Sequence, residues 1–419
     1  MSNERILIVE DSTFFASVVT RTIREETAFE VDRVGSFQEA RQYLKKRRRG
    51  LFAALLDLHL PDSPHGEVVD YFVAQGVPSI VFTGEFNDRV RDVVMSKNVV
   101  DYVLKEGPDS LHELIAALER LRRNQEIKVL VVDDSASARN IVSVLLRTHQ
   151  YQVLEAENGE DALVVLQNTP GIRLLISDHT MPGMSGVELV RAIRARHPRE
   201  RLAIVGISAE TDPLISARFI KSGANDFLRK PFLVEEFHCR IRQNVELLEH
   251  ITTIREMGDK DNLTGLCSRR GFLRRGRAMQ QEALLRNFPV LAVLLDVDHL
   301  KRINNTLGHD AGDEILREMA DRLRERFGRN GLVARFGGDE FALLLPGTPL
   351  EQARKALEVF VNDVAARPVQ TSAGEVALTV SAGLTGESGE SLEAMLQRAD
   401  EMLVLSKQQD RNRLTCAQG

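Results

Sequence analysis

The sequence Arg335-Phe336-Gly337-Gly338-Asp339-Glu340-Phe341 sets two adjacent acids behind a glycine pair, between the apolar runs 332–336 and 341–345. Two glycines between apolar runs predict a tight hairpin, because glycine alone takes positive φ angles cheaply. A purely structural turn needs no second carboxylate. Upstream, the apolar run 290–295 ends in Asp296-Val297-Asp298, which places more carboxylate at a strand end. Acids from a strand end and a neighbouring turn can hold divalent metal, and magnesium favours a few carboxylates plus substrate phosphates over an all-protein cage. Two such ions polarise a phosphoryl group and activate an attacking hydroxyl.

Further blocks flank this pair in a fixed order. Asp261-Asn262-Leu263-Thr264-Gly265-Leu266 comes first, and the Asp296 block runs on through His299-Leu300-Lys301-Arg302-Ile303-Asn304. Gly308-His309-Asp310-Ala311-Gly312-Asp313 follows, then a late block from Ala399-Asp400 to Lys407 and Arg411. With these motifs, residues 259–413 resemble the GGDEF family of diguanylate cyclases, which condense two GTP into cyclic di-GMP and release two pyrophosphates. The resemblance implies an α+β domain around a mostly antiparallel, nucleotidyl-cyclase-like sheet. It implies Mg²⁺ or Mn²⁺ held by Asp296, the Val297 carbonyl and Asp339, with Glu340 supporting the metal or the attacking 3′-hydroxyl. It assigns Asn304 and Asp313 to guanine. That chemistry fits, since a carboxylate accepts from the guanine N–H edge while an amide pairs with its acceptors. It assigns Lys407 and Arg411 to the terminal phosphates, helped by Lys301 and by the backbone N–H groups of His299 and Leu300. Without the family, Lys407 and Arg411 read as a basic face of the last helix.

Each such domain binds one GTP, and the product is symmetric. Two domains must therefore face each other in a homodimer, with catalysis mostly positioning and charge stabilisation. Val404 stands where the family usually has tyrosine, and His299 where it has an apolar or aromatic residue; neither change removes a ligand, so activity is expected. Many members also carry an Arg-x-x-Asp product site five residues before the glycine pair. Here that window reads Gly328-Arg329-Asn330-Gly331. Glycine cannot replace a bidentate arginine, and Arg329 is one residue out of register. Product inhibition through that site is not expected.

A different acidic constellation occurs twice upstream. Short apolar strands end in Glu10-Asp11, Asp57, Thr83 and Lys105, and again in Asp133-Asp134, Asp178, Ser208 and Lys230. Asp11 and Asp134, Asp57 and Asp178, Thr83 and Ser208, and Lys105 and Lys230 lie 123, 121, 125 and 125 residues apart, which marks a duplicated domain. Strands alternating with helical patterns predict doubly wound parallel sheets, whose sites lie at the carboxyl ends of the strands. Three carboxylates gathered there repel one another unless a cation joins them. With Mg²⁺ present, the central aspartate can attack a phosphoryl donor.

Residues 1–125 and 126–245 thus resemble flavodoxin-like receiver domains of response regulators. The resemblance implies Asp57 and Asp178 as phospho-acceptors, and Glu10, Asp11, Asp133 and Asp134 as metal-side acids. It makes Thr83, Lys105, Ser208 and Lys230 the phosphate readers, with Tyr102 and Phe227 at the aromatic switch position. The partner it implies is a sensor histidine kinase or phosphotransfer protein. The first copy departs from the pattern: Glu106 follows Lys105 where the second copy has Pro231, and its acceptor loop is one residue longer. Asp178 is the favoured acceptor.

The whole chain bounds these readings. Its 419 residues suit about three domains. A net charge of −6 leaves no broad basic surface for nucleic acid. The run Lys45-Lys46-Arg47-Arg48-Arg49 reads as the solvated end of a helix. Cys239, Cys267 and Cys416 lack metal or disulfide spacing, and no apolar run approaches the ~18 residues of a membrane span. A cytoplasmic protein without direct membrane insertion is expected. A helix from Val234 to about Met257, with Ile241, Val245, Leu248 and Leu247, Ile251, Ile254 at spacings of three and four, suggests a stalk over 246–258 that pairs with a second copy. A catalytic domain over 259–419 follows. The expectation is a receiver–receiver–GGDEF response regulator activated by aspartate phosphorylation. The alternative is a phosphorylation-controlled scaffold that binds GTP without turnover, which has no need of Asp296, Asp339 and Glu340 together.

Overall fold

The computed structural model describes residues 4–84, 94, 97–105, 109–209, 212, 214–386 and 391–417. The chain divides into two compact units, Met1–Ile251 and Thr252–Gly419. Among the described residues no helix is long and apolar enough to cross a membrane.

The first unit holds two parallel five-stranded sheets. One comprises β1 (Arg5–Val9), β2 (Glu30–Val34), β3 (Leu51–Leu56), β4 (Ser79–Thr83) and β5 (Asp101–Leu104) in the order β2-β1-β3-β4-β5. The other comprises β6 (Lys128–Val132), β7 (Gln152–Ala156), β8 (Ile172–Asp178), β9 (Ala203–Ser208) and β10 (Asp226–Arg229) in the order β10-β9-β8-β6-β7. Read from the other edge, the second order repeats the first. The inner strands are continuous apolar runs because helices cover both faces of a parallel sheet. Ile6, Ile8, Leu55 and Ile80 pack into one core layer, and Leu7, Val9, Leu56 and Val81 into the layer opposite. The first helix of each copy is capped by a serine: Ser12 Oγ accepts from the Phe15 N–H at 3.5 Å, and Ser135 Oγ from the Ala138 N–H at 3.4 Å. Lys45 to Arg49 are all exposed at the end of the helix Phe37–Arg47, as a solvated helix terminus requires.

The helix Val234–Gly258 corrects one of the two stripes expected of the stalk. Ile241, Val245 and Leu248 do not face outward; they are buried in the core of the second sheet with Phe237 and Leu228. Their three-and-four spacing serves that domain. The exposed apolar residues are Leu247, Ile254 and Met257, with Ile251 half-buried. Arg120 of the helix Asp109–Asn124 ties the two halves of the unit through ion pairs to Glu246 at 3.1 Å and Glu249 at 3.0 Å.

On the same helix the His238 ring stacks on His149, centroids 3.7 Å apart. His149 Nε2 is buried without a hydrogen-bond partner. Burial pushes His238 down to about 4, with Arg242 adding to the effect, and pushes His149 well below the usual value, with His238 and Arg242 adding. The folded state therefore refuses protons that the unfolded chain accepts. Stability is full above the unfolded value near 6.5 and falls as pH drops toward 4, by at most about 3 kcal/mol for His238 and less as solvent reaches the ring edge. Denaturant titrations between pH 7 and pH 4.5 are expected to show a shallower loss for His238→Phe than for the wild type. Parallel pH profiles for the two proteins would contradict this.

The second unit is a mixed six-stranded sheet in the order β11-β13-β14-β12-β17-β18. The strands are β11 (Cys267–Ser268), β12 (Val290–Val297), β13 (Leu332–Arg335), β14 (Glu340–Pro346), β17 (Val380–Thr385) and β18 (Leu414–Cys416), with a separate hairpin of β15 (Val369–Thr371) and β16 (Gly374–Val376). The central pairings β13·β14, β14·β12 and β12·β17 are antiparallel; both edges are parallel. β12 is apolar up to Asp296 because both its faces are covered. Leu291, Val293 and Leu295 meet the helices His309–Phe327 and Leu350–Ala366; Val290, Ala292 and Leu294 meet Arg269–Arg286 and Leu392–Gln408.

Candidate functional site

The sheet brings the acids of the second unit together at one end. Asp296 lies opposite Glu340 on β14 and opposite Ser381 on β17. The Val297 N–H donates to the Asp339 carbonyl at 3.1 Å, tying the turn 336–339 to the central strand. The turn closes through the Phe336 N–H to the Glu340 carbonyl at 2.7 Å. Arg335 braces it from outside: its guanidinium donates to the Gly338 carbonyl at 2.7 Å and reaches the Asp261 carboxylate at 3.3 Å. Burial alone would raise Asp261, but hydrogen bonds from Thr264 and the charge of Arg335 hold it below the usual carboxylate range.

The hairpin expectation holds, but its reason is corrected. Neither Gly337 nor Gly338 is among the positive-φ glycines. A Cβ at Gly338 meets nothing within 4 Å, and one at Gly337 approaches only the Glu340 side chain, at 3.0 Å. The turn does not need glycine for its backbone angles. Missing side chains instead leave open space beside the acids, as close approach of a ligand backbone requires.

Asp296 is buried, and Lys407 Nζ lies 2.8 Å from its carboxylate. Burial pushes Asp296 up to about 6, against the pull of Lys407 and with the help of the Asp339 and Glu340 charges. Lys407 here neutralises an acid rather than projecting free. Arg411 is exposed, with Nε 4.0 Å from the Asp298 carboxylate.

The helix Leu300–Leu307 opens at the same strand end. His299 is its cap in left-handed conformation at φ 61°, with no side-chain cap bond. Its first N–H groups are thus available to an anion. Leu300 itself is buried and Lys301 is exposed. Asn304 Oδ1 is buried and unpartnered, against Gly312, where a Cβ would stand 1.8 Å away. Asp313, next in sequence, is half-buried. Sequence reasoning gave Asp298 no role, yet it is among the most enclosed acids of the unit. Its position in an Asp-x-Asp pair was the only signal.

In the first unit both acidic constellations form at the strand ends. Lys105 Nζ bridges Glu10 at 2.6 Å and Asp57 at 2.7 Å; Lys230 Nζ bridges Asp133 at 2.8 Å and Asp178 at 2.7 Å. The backbone matches too, with the Lys105 N–H on the Thr83 carbonyl and the Lys230 N–H on the Ser208 carbonyl, both at 2.8 Å. Thr83 and Ser208 are buried; Asp11 and Asp134 are exposed. Burial would lower both lysines, but their hydrogen bonds and ion pairs with the acids hold them above the usual value. Burial raises Glu10, with Asp57 adding and Lys105 opposing. The copies differ in two ways. Ligand oxygens of Glu10, Asp11 and Asp57 lie within 4.8 Å of one another, the one such group among the described residues. Lys105 also sits over the rings of Phe15 at 5.4 Å and Phe82 at 5.7 Å. Glu106 lies outside the described residues.

Paired parallel sheets with Asp–Lys strand ends, followed by an acidic hairpin on a mixed sheet, define a phosphorylation-controlled regulator with a nucleotide-handling output domain. Residues 6–118 and 129–242 each match the response regulator receiver domain, and residues 259–413 match the diguanylate cyclase GGDEF domain. The chain belongs to the response regulators in which two receiver domains precede a GGDEF diguanylate cyclase domain. It is similar to Response regulator PleD of Caulobacter vibrioides, 30% identical over 339 residues, which cover 77% of this chain and 73% of that protein. It is also similar to Diguanylate cyclase DgcP of Pseudomonas aeruginosa, 40% identical over 172 residues, 40% of this chain and 25% of that protein. A crystal structure of a two-component system response regulator/GGDEF domain protein superposes with a TM-score of 0.50 at 39% identity, over 59% of this chain and 99% of that one. GGDEF cyclases and receiver domains generally use divalent metal, and the group Glu10, Asp11 and Asp57 of the first receiver has the donor chemistry to fit one.

Proposed function

We propose that the GGDEF unit acts as one half of a dimeric site. Asp296, the Val297 carbonyl and Asp339 would hold Mg²⁺, or Mn²⁺ in its place, with Glu340 beside them. The metal supplies charge neutralisation at the reacting phosphates and activation of the attacking 3′-hydroxyl. The observation that carries this reading is the buried Asp296 carboxyl, pushed up to about 6 by burial first and by the Asp339 and Glu340 charges after it, with Lys407 as its counter-charge. Such crowding favours a cation. Once a metal takes that charge, Lys407 is free to join Arg411 at the terminal phosphates. The unpartnered Asn304 Oδ1 and the neighbouring Asp313 suit the guanine edge. His299 and Leu300 offer backbone N–H groups to phosphate, and Lys301 adds charge at the rim.

In each receiver the acceptor is Asp57 or Asp178, the metal-side acids are Glu10 and Asp11 or Asp133 and Asp134, and the phosphate readers are Thr83 and Lys105 or Ser208 and Lys230. A sensor kinase or phosphotransfer protein in the cytoplasm supplies the phosphoryl group. The domains run 1–125, 126–245, 246–258 and 259–419, with Leu248 packing on the second receiver from the start of the linker. Phosphorylation promotes the homodimer in which two GTP-loaded sites face each other. Specific activity is therefore expected to rise with protein concentration and to track the dimer fraction measured by sedimentation. Constant specific activity across a monomeric range would reject the two-half site.

We propose as well that no product site operates in the window 328–331, and its packing supports this. A Cβ at Gly328 would stand 2.4 Å from the Arg324 carbonyl oxygen, and one at Gly331 2.8 Å from the Leu344 carbonyl oxygen. Neither position takes a side chain without a backbone shift. Turnover is expected to stay nearly linear as product accumulates. Stoichiometric binding of product to GTP-free protein, lost in Arg329→Ala, would reveal an altered site.

A further inference from the structure

Asp298 is the second acid of the Asp296-Val297-Asp298 motif, but it does not share the environment of the first. It lies just past the end of β12 and is 3% exposed. Its Oδ1 accepts from Ser381 Oγ at 2.8 Å; its Oδ2 accepts from Thr379 Oγ1 at 2.8 Å and from the Asn412 N–H at 3.2 Å. Its own N–H donates to the Thr379 carbonyl at 3.0 Å. A buried carboxylate is tolerated when its oxygens are satisfied in this way.

The Asn412 bond reaches the turn between the helix Leu392–Gln408 and β18. In that turn Asp410, Arg411 and Asn412 have φ of 71°, 60° and 46°. Asp and Asn enter the left-handed region more readily than other side chains, whereas arginine has no such ease. A run of three persists only where its surroundings over-determine it. Two anchors do so. The Arg411 N–H donates to the Ser406 carbonyl at 3.1 Å, and the Asn412 N–H to Asp298. Ser406 is fixed in turn by its hydroxyl bond to the Ala382 carbonyl at 2.7 Å. One anchor belongs to the helix that carries Lys407; the other belongs to the strand end that carries Asp296.

We infer that Asp298 is a positioning residue that holds the left-handed turn 410–412 so that Arg411 is fixed for the terminal phosphates of the nucleotide. The inference rests on the assignment of Arg411 to those phosphates. Removing the carboxylate frees Asn412, lets the turn relax and takes away the anion beside the Arg411 guanidinium. The guanine end, read from the helices that carry Asn304 and Asp313, is untouched. The loss therefore falls on the phosphate end alone.

The test compares binding of α,β-methylene GTP and of GMP to the full-length protein with Mg²⁺, alongside GTP kinetics. Asp298→Asn is expected to weaken the triphosphate about tenfold or more, the scale of one charge-assisted contact, while GMP binding stays within about twofold. The KM for GTP rises more than kcat falls. Arg411→Ala gives the same selective loss, and the double variant adds little to it, as for two residues acting through one contact. Asn412→Ala, at an exposed site, strains the same turn without emptying the core and gives a smaller loss of the same selectivity, so a folding defect in Asp298→Asn leaves the inference open to test. Equal weakening of both ligands, or additive losses, would overturn it. If Arg411→Ala keeps the triphosphate preference, the assignment of Arg411 falls and the inference with it. If Arg411→Ala loses that preference while Asp298→Asn and Asn412→Ala keep it, the inference alone falls.

Discussion

Asp339→Ala and Asp296→Ala are each expected to lower cyclic di-GMP synthesis by several orders of magnitude. Both take a carboxylate from the strand end where burial, with the Asp339 and Glu340 charges adding, pushes Asp296 up to about 6. Loss of a metal clamp costs several kcal/mol of transition-state stabilisation, and each ~1.4 kcal/mol is about tenfold in rate. Neither variant should lose stability. Asp339 lies in a turn held by backbone bonds that alanine keeps, so Asp339→Ala should melt near the wild type. Asp296→Ala removes a carboxylate whose ionised form burial disfavours and leaves a partly exposed Lys407 that can turn to solvent, so its melting temperature should not fall. Folded Asp339→Ala protein with near wild-type turnover would remove the acidic hairpin from the chemistry.

The second large effect concerns the receivers. A phosphoryl mimic such as beryllofluoride is expected to raise activity strongly, and Asp178→Asn is expected to bring the stimulated rate down to the unstimulated one. A shift from 1:99 to 99:1 between unproductive and productive assemblies needs about 5.5 kcal/mol of differential stabilisation, which one phosphoryl group per protomer approaches when counted twice in a dimer. The acceptor loop of the second copy is the closer match to the receiver pattern, whereas the tight ligand group Glu10, Asp11 and Asp57 is in the first. The variants decide between them. Stimulation that survives Asp178→Asn and disappears in Asp57→Asn would make the first receiver the input.

The legible parts of this chain were those that local chemistry dictates. Buried parallel strands such as β3, β4 and β9 are largely apolar runs, and the polar residue at or just after the end of each one is among those proposed for the phosphorylation chemistry. The edge strands β2 and β7 carry Glu, Asp, Arg and Gln and gave no such signal, because one side of each is not buried. One stripe of the helix Val234–Gly258 misled for a physical reason: a spacing of three and four fits a partner helix and a domain core equally well, and Ile241, Val245 and Leu248 pack in the core with Phe237. Gly337 and Gly338 were placed correctly and explained wrongly, since φ cannot be read from residue type. The pairing of Lys407 with Asp296, the brace from Arg335 to Asp261 and the triple left-handed turn held by Asp298 join residues 111, 74 and 114 positions apart. Contacts at that range depend on how the sheet closes, and no local pattern announces them.

The most direct measurement of the account is chromatographic: purified full-length protein with GTP and Mg²⁺, with and without beryllofluoride, followed by separation of the nucleotides. The predicted result is one cyclic di-GMP and two pyrophosphates for every two GTP consumed, at a rate raised by beryllofluoride and abolished in Asp339→Ala. Protein that binds GTP and forms dimers under beryllofluoride yet yields no cyclic di-GMP would contradict it, and would make the chain a GTP-binding scaffold rather than an enzyme.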